Sequence, residues 1–209
     1  MTVTLKSLSA RGEGRVAVLF EIQNEENIQR ETFLVSAAAV ADLSLRVGEC
    51  TSDCFEKVEQ RARLEVAEKR ALQILSYGSC SEKMLCRKLV MKGISREIAE
   101  EAVVELCAKG FLDSSASAVR EVEKGIAKLW GRKRIAAALF EKGYADRTVR
   151  EALSVLSEVD EVELCARRIE KQVGEIPADI NERRKLIASL ERHGFSSSQI
   201  REAFLKLSL

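Results

Sequence analysis

Between Lys124 and Lys142 the chain carries six cations, Lys124, Lys128, Arg132, Lys133, Arg134 and Lys142, against one acid, Glu141. They surround Trp130, the only tryptophan, and Gly131. This is a local excess of +5 in a chain whose net charge is +1. The chemistry such a cluster offers is recognition, because local rather than total charge steers anionic partners and meets phosphates. An ordinary basic loop would have the same composition. The sharper reading is a contact site for phosphates or for an acidic protein surface. A helix expected to begin at Arg132 strengthens it, since the first amides of a helix are unpaired donors that attract anions.

The other candidates for chemistry are weaker. Gly12-x-Gly14-x-x-Ala17 has the spacing of a dinucleotide fingerprint, but that fingerprint needs a helix directly after the glycines. Arg15 to Ile22 alternates like a strand instead, so a hairpin turn is expected. No glycine is followed by lysine, which excludes a Walker A loop. Nucleophilic catalysis would have to use His193, the single histidine, and no partner that would orient it as a base is evident. The paired carboxylates Glu100-Glu101 and Asp160-Glu161 suit solvated helix faces. Cys50, Cys54, Cys80, Cys86, Cys107 and Cys165 form no C-x-x-C pair, and their apolar, helical surroundings suit free thiols in a core. No catalytic, cofactor or metal site is expected, and the chain reads as a non-enzyme.

The elements that must position the basic cluster follow from patterning. The chain has 209 residues, 46% hydrophobic and 32% charged, with one proline, which favours a folded protein of long solvated helices. The longest uninterrupted apolar run, Ile135 to Phe140, is six residues, far short of the roughly 18 of a membrane helix. No signal-peptide core is legible near Lys6 and Arg11, so a soluble cytoplasmic protein is expected. Alternation predicts strands from Val3, over Val16–Ile22 and over Ile28–Val35, with Arg11–Gly14 as a turn. A short helix over Ser36–Leu45 follows. Three strands of this kind need something to pack on, and the first long helix, Phe55–Ser76, is expected to serve.

Beyond Thr51 the period becomes helical, and an internal repeat emerges. Gly93, Gly143 and Gly194 lie 50 and 51 residues apart. Eight residues earlier stand Leu85, Ile135 and Leu186; four earlier, Leu89, Leu139 and Leu190. Lys92, Lys142 and His193 precede the glycines, and Ile94, Tyr144 and Phe195 follow them. Further apolar columns begin Ala99/Val149/Ile200 and Ala102/Ala152/Ala203, and continue through Val103/Leu153/Phe204 to Leu106/Leu156/Leu207. Such a period marks a tandem array. Each unit predicts a helix ending at the glycine in a left-handed cap. A cation precedes the cap, where the helix dipole is negative. A second helix then starts near Ser95, Asp146 or Ser196 as N-cap. Ahead of each pair lies another helix: Phe55–Ser76, Ala116–Leu129 and Glu161–Val173. The expected organisation is a β-rich head over 1–50 and three-helix repeats over 51–113, 114–158 and 159–209.

This pattern resembles the RecX family of RecA regulators, over about residues 57–209, with the head similar to an N-terminal extension of some members. Lys109-Gly110-Phe111-Leu112-Asp113 is similar to the family's Lys-Gly-aromatic-aliphatic-Asp-Asp stretch. Trp130-Gly131-Arg132-Lys133-Arg134-Ile135 is similar to its G-x-x-R/K-I, and Leu139 to Tyr144 to its L-x-x-K-G-I/V. The chain departs at Ser114, where a second Asp is usual, at Ser117, where an aromatic is usual, and at Arg132, where Pro is frequent. The resemblance implies a mainly α fold of tandem three-helix repeats in an elongated curved array, behind a small β-rich head. It also implies a mainly negative regulator of the RecA recombinase, and the lack of an obvious dimerising heptad suits a monomer. Such a protein binds the RecA–DNA filament and limits ATPase, strand exchange and coprotease activity, in homologous recombination, DNA repair and the SOS response. A direct, weak contact with DNA is compatible with it, and no membrane partner is implied. The rival readings are a helix-turn-helix-like protein that binds DNA directly and a generic helical adaptor.

Overall fold

The structure is a computed structural model that describes residues 2–25 and 27–208. Two compact units divide the chain: the stretch up to Tyr77 with Cys86–Phe111, and Gly78–Leu85 with the stretch from Leu112 onward.

In the first unit, strands β1 (Thr2–Ala10), β2 (Arg15–Gln23) and β3 (Ile28–Ser36) form an antiparallel meander. A fourth strand, β4 (Gly48–Cys50), pairs with β1 and gives the sheet order β3-β2-β1-β4. Three residues are too few to alternate visibly, which is why β4 was not legible in the sequence. Gly12 and Gly14 both lie at positive φ in the β1–β2 turn, where Arg15 N donates to Gly12 O at 2.9 Å. With a strand following, no helix N-terminus faces these glycines.

Helix α1 (Ala37–Asp42) leads to the long helix α2 (Ser52–Ser76), which starts three residues before the expected Phe55 because the Thr51 hydroxyl caps it. Val3, Leu5, Val18, Phe20 and Val35 of the sheet pack on Val58 and Ala62 of α2. The head therefore leans on the first long helix. A buried carboxylate fixes the joint. Both oxygens of Glu65 on α2 accept the Ser36 amide, at 3.0 and 2.9 Å. Arg15 and Arg61 flank the same carboxylate at 3.7 and 3.5 Å. Helix α3 (Glu82–Met91) contributes to both units, and α4 (Arg96–Ala108) packs along α2. Arg61 reaches Glu105 across that packing at 2.9 Å, and Lys109 bridges Glu68 and Glu105.

The second unit comprises α5 (Ser114–Ala127), α6 (Arg132–Glu141), α7 (Asp146–Ala152), α8 (Glu161–Val173), α9 (Ile180–Arg192) and α10 (Ser197–Leu207), with a 3-10 segment over Leu153–Glu158 after α7. Two apolar clusters fill it. One joins Ala118 and Val122 of α5 to Ile135, Leu139, Val149 and Leu156. The other joins Leu164 and Ile169 of α8 to Leu186, Leu190, Phe195 and Ile200. Apart from the α5 and α8 residues, these belong to the columns of the repeat. The anchor glycines adopt φ of +84, +78 and +92°. After each, an amide reaches back to the last turn: Ile94 to Leu89 O, Tyr144 to Leu139 O and Phe195 to Leu190 O, all at 3.2 Å. That is the double closure a helix makes before a left-handed residue.

Ser95 and Ser196 cap their helices as expected, whereas Asp146 does not. Ala145 occupies the N-cap of α7 with no side-chain bond, and Asp146 is the first helical residue. There its charge still favours the positive helix end.

The departure at Ser114 leaves the α5 cap intact, because Asp113 Oδ1 accepts the Ala116 amide at 2.9 Å. The departure at Ser117 is matched elsewhere. Ser117 is fully buried, and its hydroxyl lies 2.6 Å from the phenol of Tyr144, which stands where the family pattern has Ile or Val. The small residue faces the large one, and each satisfies the other's hydroxyl. Tyr144→Phe therefore leaves a buried hydroxyl unpaired and is expected to cost about 1–2 kcal/mol in urea denaturation. Adding Ser117→Ala should return part of that loss. Strictly additive losses would show that the two hydroxyls act independently.

Candidate functional site

The α5–α6 corner places the basic cluster. Helix α5 ends at the C-cap Lys128, followed by Leu129 at φ +56°. A left-handed leucine costs about 1–2 kcal/mol. Leu129 is buried in the cluster around Leu164, Ile169 and Phe195, which offsets that strain. The turn closes with Trp130 N donating to Gly125 O at 3.0 Å. Gly131 is the N-cap of α6, and Lys142 is its C-cap.

Four of the six predicted cations meet over Trp130. Lys124, Lys128, Arg134 and Lys142 line a basin of about 190 Å³ together with Trp130 and Glu121. The Lys128 ammonium lies 5.0 Å and the Arg134 guanidinium 5.2 Å from the indole centroid. Arg132 and Lys133 are exposed and lie outside the basin.

Two expectations from the sequence need correction. First, the charge excess is smaller than the linear count, because folding brings in acids from other segments. Glu121 accepts Lys124 and Lys142, and Glu161 at the start of α8 lies 3.9 Å from Arg132. Glu141 lies 3.7 Å from Arg134. Second, the N-terminus of α6 is not open to phosphate. The Gly131 amide donates to His193 O at 2.8 Å, and the Lys133 amide to Gly194 O at 3.2 Å. The cap turn after α9 occupies these two donors, so recognition of an anion falls chiefly to side chains.

His193 is built into the same joint. Arg168 Nη2 lies 2.6 Å from its Nε2, and Ser189 O lies 2.7 Å from its Nδ1. Those partners assign the proton to Nδ1 and the acceptor role to Nε2. The carboxylate pairs are also engaged structurally. Glu100 meets Arg96 at 2.9 Å, and Glu101 accepts Gln60 at 3.0 Å. Asp160 caps α8 and Glu161 accepts Gln199 at 2.8 Å. Cys50, Cys54, Cys86 and Cys165 are free thiols. Burial pushes Cys50 up to about 11, with Cys54 adding to it, and Cys165 up to about 12. Among the described residues no cluster of His, Cys, Asp and Glu could hold a metal ion, and no helix is long and apolar enough to cross a membrane.

The feature that sequence reasoning missed is the contact between turns. A Cβ on Gly194 would stand 2.3 Å from Arg134 N and 2.8 Å from Gly131 O. A Cβ on Gly131 would stand 2.5 Å from Gly194 C. The column of anchor glycines was legible, but only as a cap. Gly194→Ala is therefore expected to destabilise by about 3 kcal/mol or more, since backbone strain and a backbone clash add. Gly174 also has positive φ but open space around its Cβ position. Gly174→Ala should cost only about 1 kcal/mol, the left-handed penalty alone. Equal losses in parallel urea melts would refute the joint.

The family model described as "RecX, first three-helix domain" matches residues 67–106, and that described as "RecX, third three-helix domain" matches residues 158–204. The regulatory protein RecX of Pelodictyon phaeoclathratiforme is 34% identical over 142 residues, covering 66% of this chain and 87% of the relative. That of Xanthomonas axonopodis pv. citri is 32% identical over 145 residues, covering 69% and 89%. A crystal structure of a regulatory protein RecX superposes with a TM-score of 0.75 at 22% identity, over 96% of this chain and 99% of its own. The crystal structure of RecX from Lactobacillus salivarius gives 0.60 at 23% identity, over 70% and 97%. These two structural likenesses establish the fold.

Proposed function

This chain belongs to the RecX family, and from that premise we propose that it regulates the RecA recombinase by binding the RecA–DNA filament. The observation that carries the reading is the relative named as a regulatory protein, matched at 34% identity over 87% of its length. In this reading the chain acts in the cytoplasm as a monomer. It limits the filament's ATPase, strand-exchange and coprotease activities, with consequences for recombinational repair and the SOS response. The mechanism is steric and electrostatic. Stacked helical repeats offer extended surfaces to a partner, and the basic residues around Trp130 supply attraction to an anionic one. No covalent step is needed. Direct contact with DNA is secondary, because the near-neutral chain lacks the overall charge of an autonomous DNA binder.

The test is the rate of single-stranded-DNA-dependent ATP hydrolysis by RecA of the same organism, titrated with this protein. Inhibition at or below equimolar ratio is expected. Arg132→Gln, Lys133→Gln and Arg134→Gln together should weaken it while circular dichroism shows unchanged helical content. Unchanged inhibition in that variant would reject the surface and leave the regulator standing. Absence of both inhibition and filament binding in the natural chain would overturn the regulator itself. Duplex binding with base preference and a steep salt slope, without any effect on RecA, would favour the direct DNA-binding reading instead.

A further inference from the structure

The basin over Trp130 contains one group to which the regulator reading gives no role, the carboxylate of Glu121. It projects from α5 and is largely buried, with its side chain 14% exposed, against 61% for Lys124 and 46% for Lys142. Lys124 donates to one oxygen at 2.9 Å, and Lys142, from the end of α6, donates to the other. Burial alone would raise this carboxyl. Lys142 and Lys124 more than offset that and hold it below the usual carboxylate range. Two of the four cations of the basin are thus drawn onto a charge that belongs to the protein.

The other two are held differently. Lys128 and Arg134 lie against the indole of Trp130. A cation on a ring face still has N–H donors available to an acceptor. Four cations therefore surround one small, partly enclosed space. Lys124 and Lys142 carry the largely buried Glu121 as counter-ion, and Arg134 lies 3.7 Å from the exposed Glu141, which lines the same space.

We propose that Glu121 is an electrostatic gate: the basin receives a phosphodiester group of a nucleic acid strand, and binds it fully only when Lys124 and Lys142 turn from Glu121 to the phosphate. The gate deepens the regulator reading and rests on it for the presence of nucleic acid in the partner. A phosphodiester presents two oxygens that share one charge, as a carboxylate does, and it is the aromatic ring beside the cations that favours a nucleic acid strand. Trp130 adds an aromatic surface on which a neighbouring base can stack, a combination characteristic of single-strand binding. The exchange has a built-in resistance. Moving the lysines outward leaves a largely buried carboxylate with fewer partners, which opposes binding. Glu121 thereby keeps the basin weak toward isolated phosphates and reserves it for a strand already held nearby.

The test uses the full chain and a fluorescein-labelled oligo-dT strand, followed by anisotropy and by fluorescence of Trp130, the only tryptophan. Glu121→Gln should bind the strand roughly three- to tenfold more tightly at low salt, with a log–log salt slope steeper by about 0.7–1.4, as one or two more cations meet phosphates. Introducing Lys124→Gln and Lys142→Gln into that variant should abolish the gain. Poly-glutamate should compete poorly. The gate is overturned if Glu121→Gln, with helical content intact, binds no more tightly than the natural chain, or if neither form binds the strand. It is also overturned if poly-glutamate quenches Trp130 as effectively as the strand does, which would assign the basin to an acidic protein surface. Inhibition of RecA ATP hydrolysis by the natural chain, measured alongside, separates failure of the gate from failure of the regulator reading.

Discussion

A helix that ends in a left-handed glycine satisfies its inner carbonyls but leaves the carbonyl just before the glycine pointing outward. The repeats of this chain depend on where those three carbonyls find donors. Lys92 O accepts the Arg70 guanidinium at 2.8 Å, from α2. Lys142 O accepts the Ser81 hydroxyl at 2.5 Å, from the residue before α3. His193 O accepts the Gly131 amide at 2.8 Å, from the N-cap of α6. In the last two cases the end of one repeat's helix is matched to the start of a helix in the repeat before it. In the last case an orphan amide and an orphan carbonyl of different helices satisfy each other. Each bond contributes about 1 kcal/mol net, but leaving a buried partner unmade costs more. Direction as well as energy is therefore fixed.

That joint determines the character of the basic surface. Because the amides of Gly131 and Lys133 are engaged by the docked turn, two of the backbone donors at the start of α6 are not open to an anion. Recognition passes to side chains, and those are disciplined by neighbours: Trp130 for Lys128 and Arg134, and Glu121 for Lys124 and Lys142. The strained Leu129 belongs to the same logic. A glycine there would relieve the backbone but would remove a buried side chain from the cluster around Leu164 and Phe195. Packing wins, and Trp130 leaves the helix in a defined direction.

Much of this architecture was legible in the residues, and the largest exception is a non-local contact. Strands β1 to β3, the columns of the repeat and the caps at Ser95 and Ser196 are local in sequence, so patterning finds them. The anchor glycines were also found, but their tight contact was not. The approach of Gly194 to Gly131 joins residues 63 apart through backbone atoms alone, and no side-chain pattern records it. The charge of the corner failed partly for the same reason. Glu141 lies inside the basic segment and was counted, whereas Glu161 acts from another helix and Glu121 from three residues before the segment begins. Asp146 misled because an aspartate near a helix start is usually the cap, while here the chain enters the helix one residue earlier.

The position of Arg132 shows how such a scaffold can change its chemistry without changing its shape. The bonds to the docked turn come from the amides of Gly131 and Lys133, the residues on either side of it. Position 132 is the first residue of α6, where a helix makes no intrahelical use of the amide and proline is well tolerated. The joint therefore asks nothing of the backbone donor at 132. A proline, as in the family pattern, and the arginine of this chain fit the same geometry, but only the arginine adds a charge, which lies 3.9 Å from Glu161. Gly131 and Gly194 have no such freedom, since any side chain on either would enter the other's backbone. Constraint and variability alternate residue by residue along this turn. The backbone contacts hold the repeats in register, and the side chains between them are left to set the surface charge.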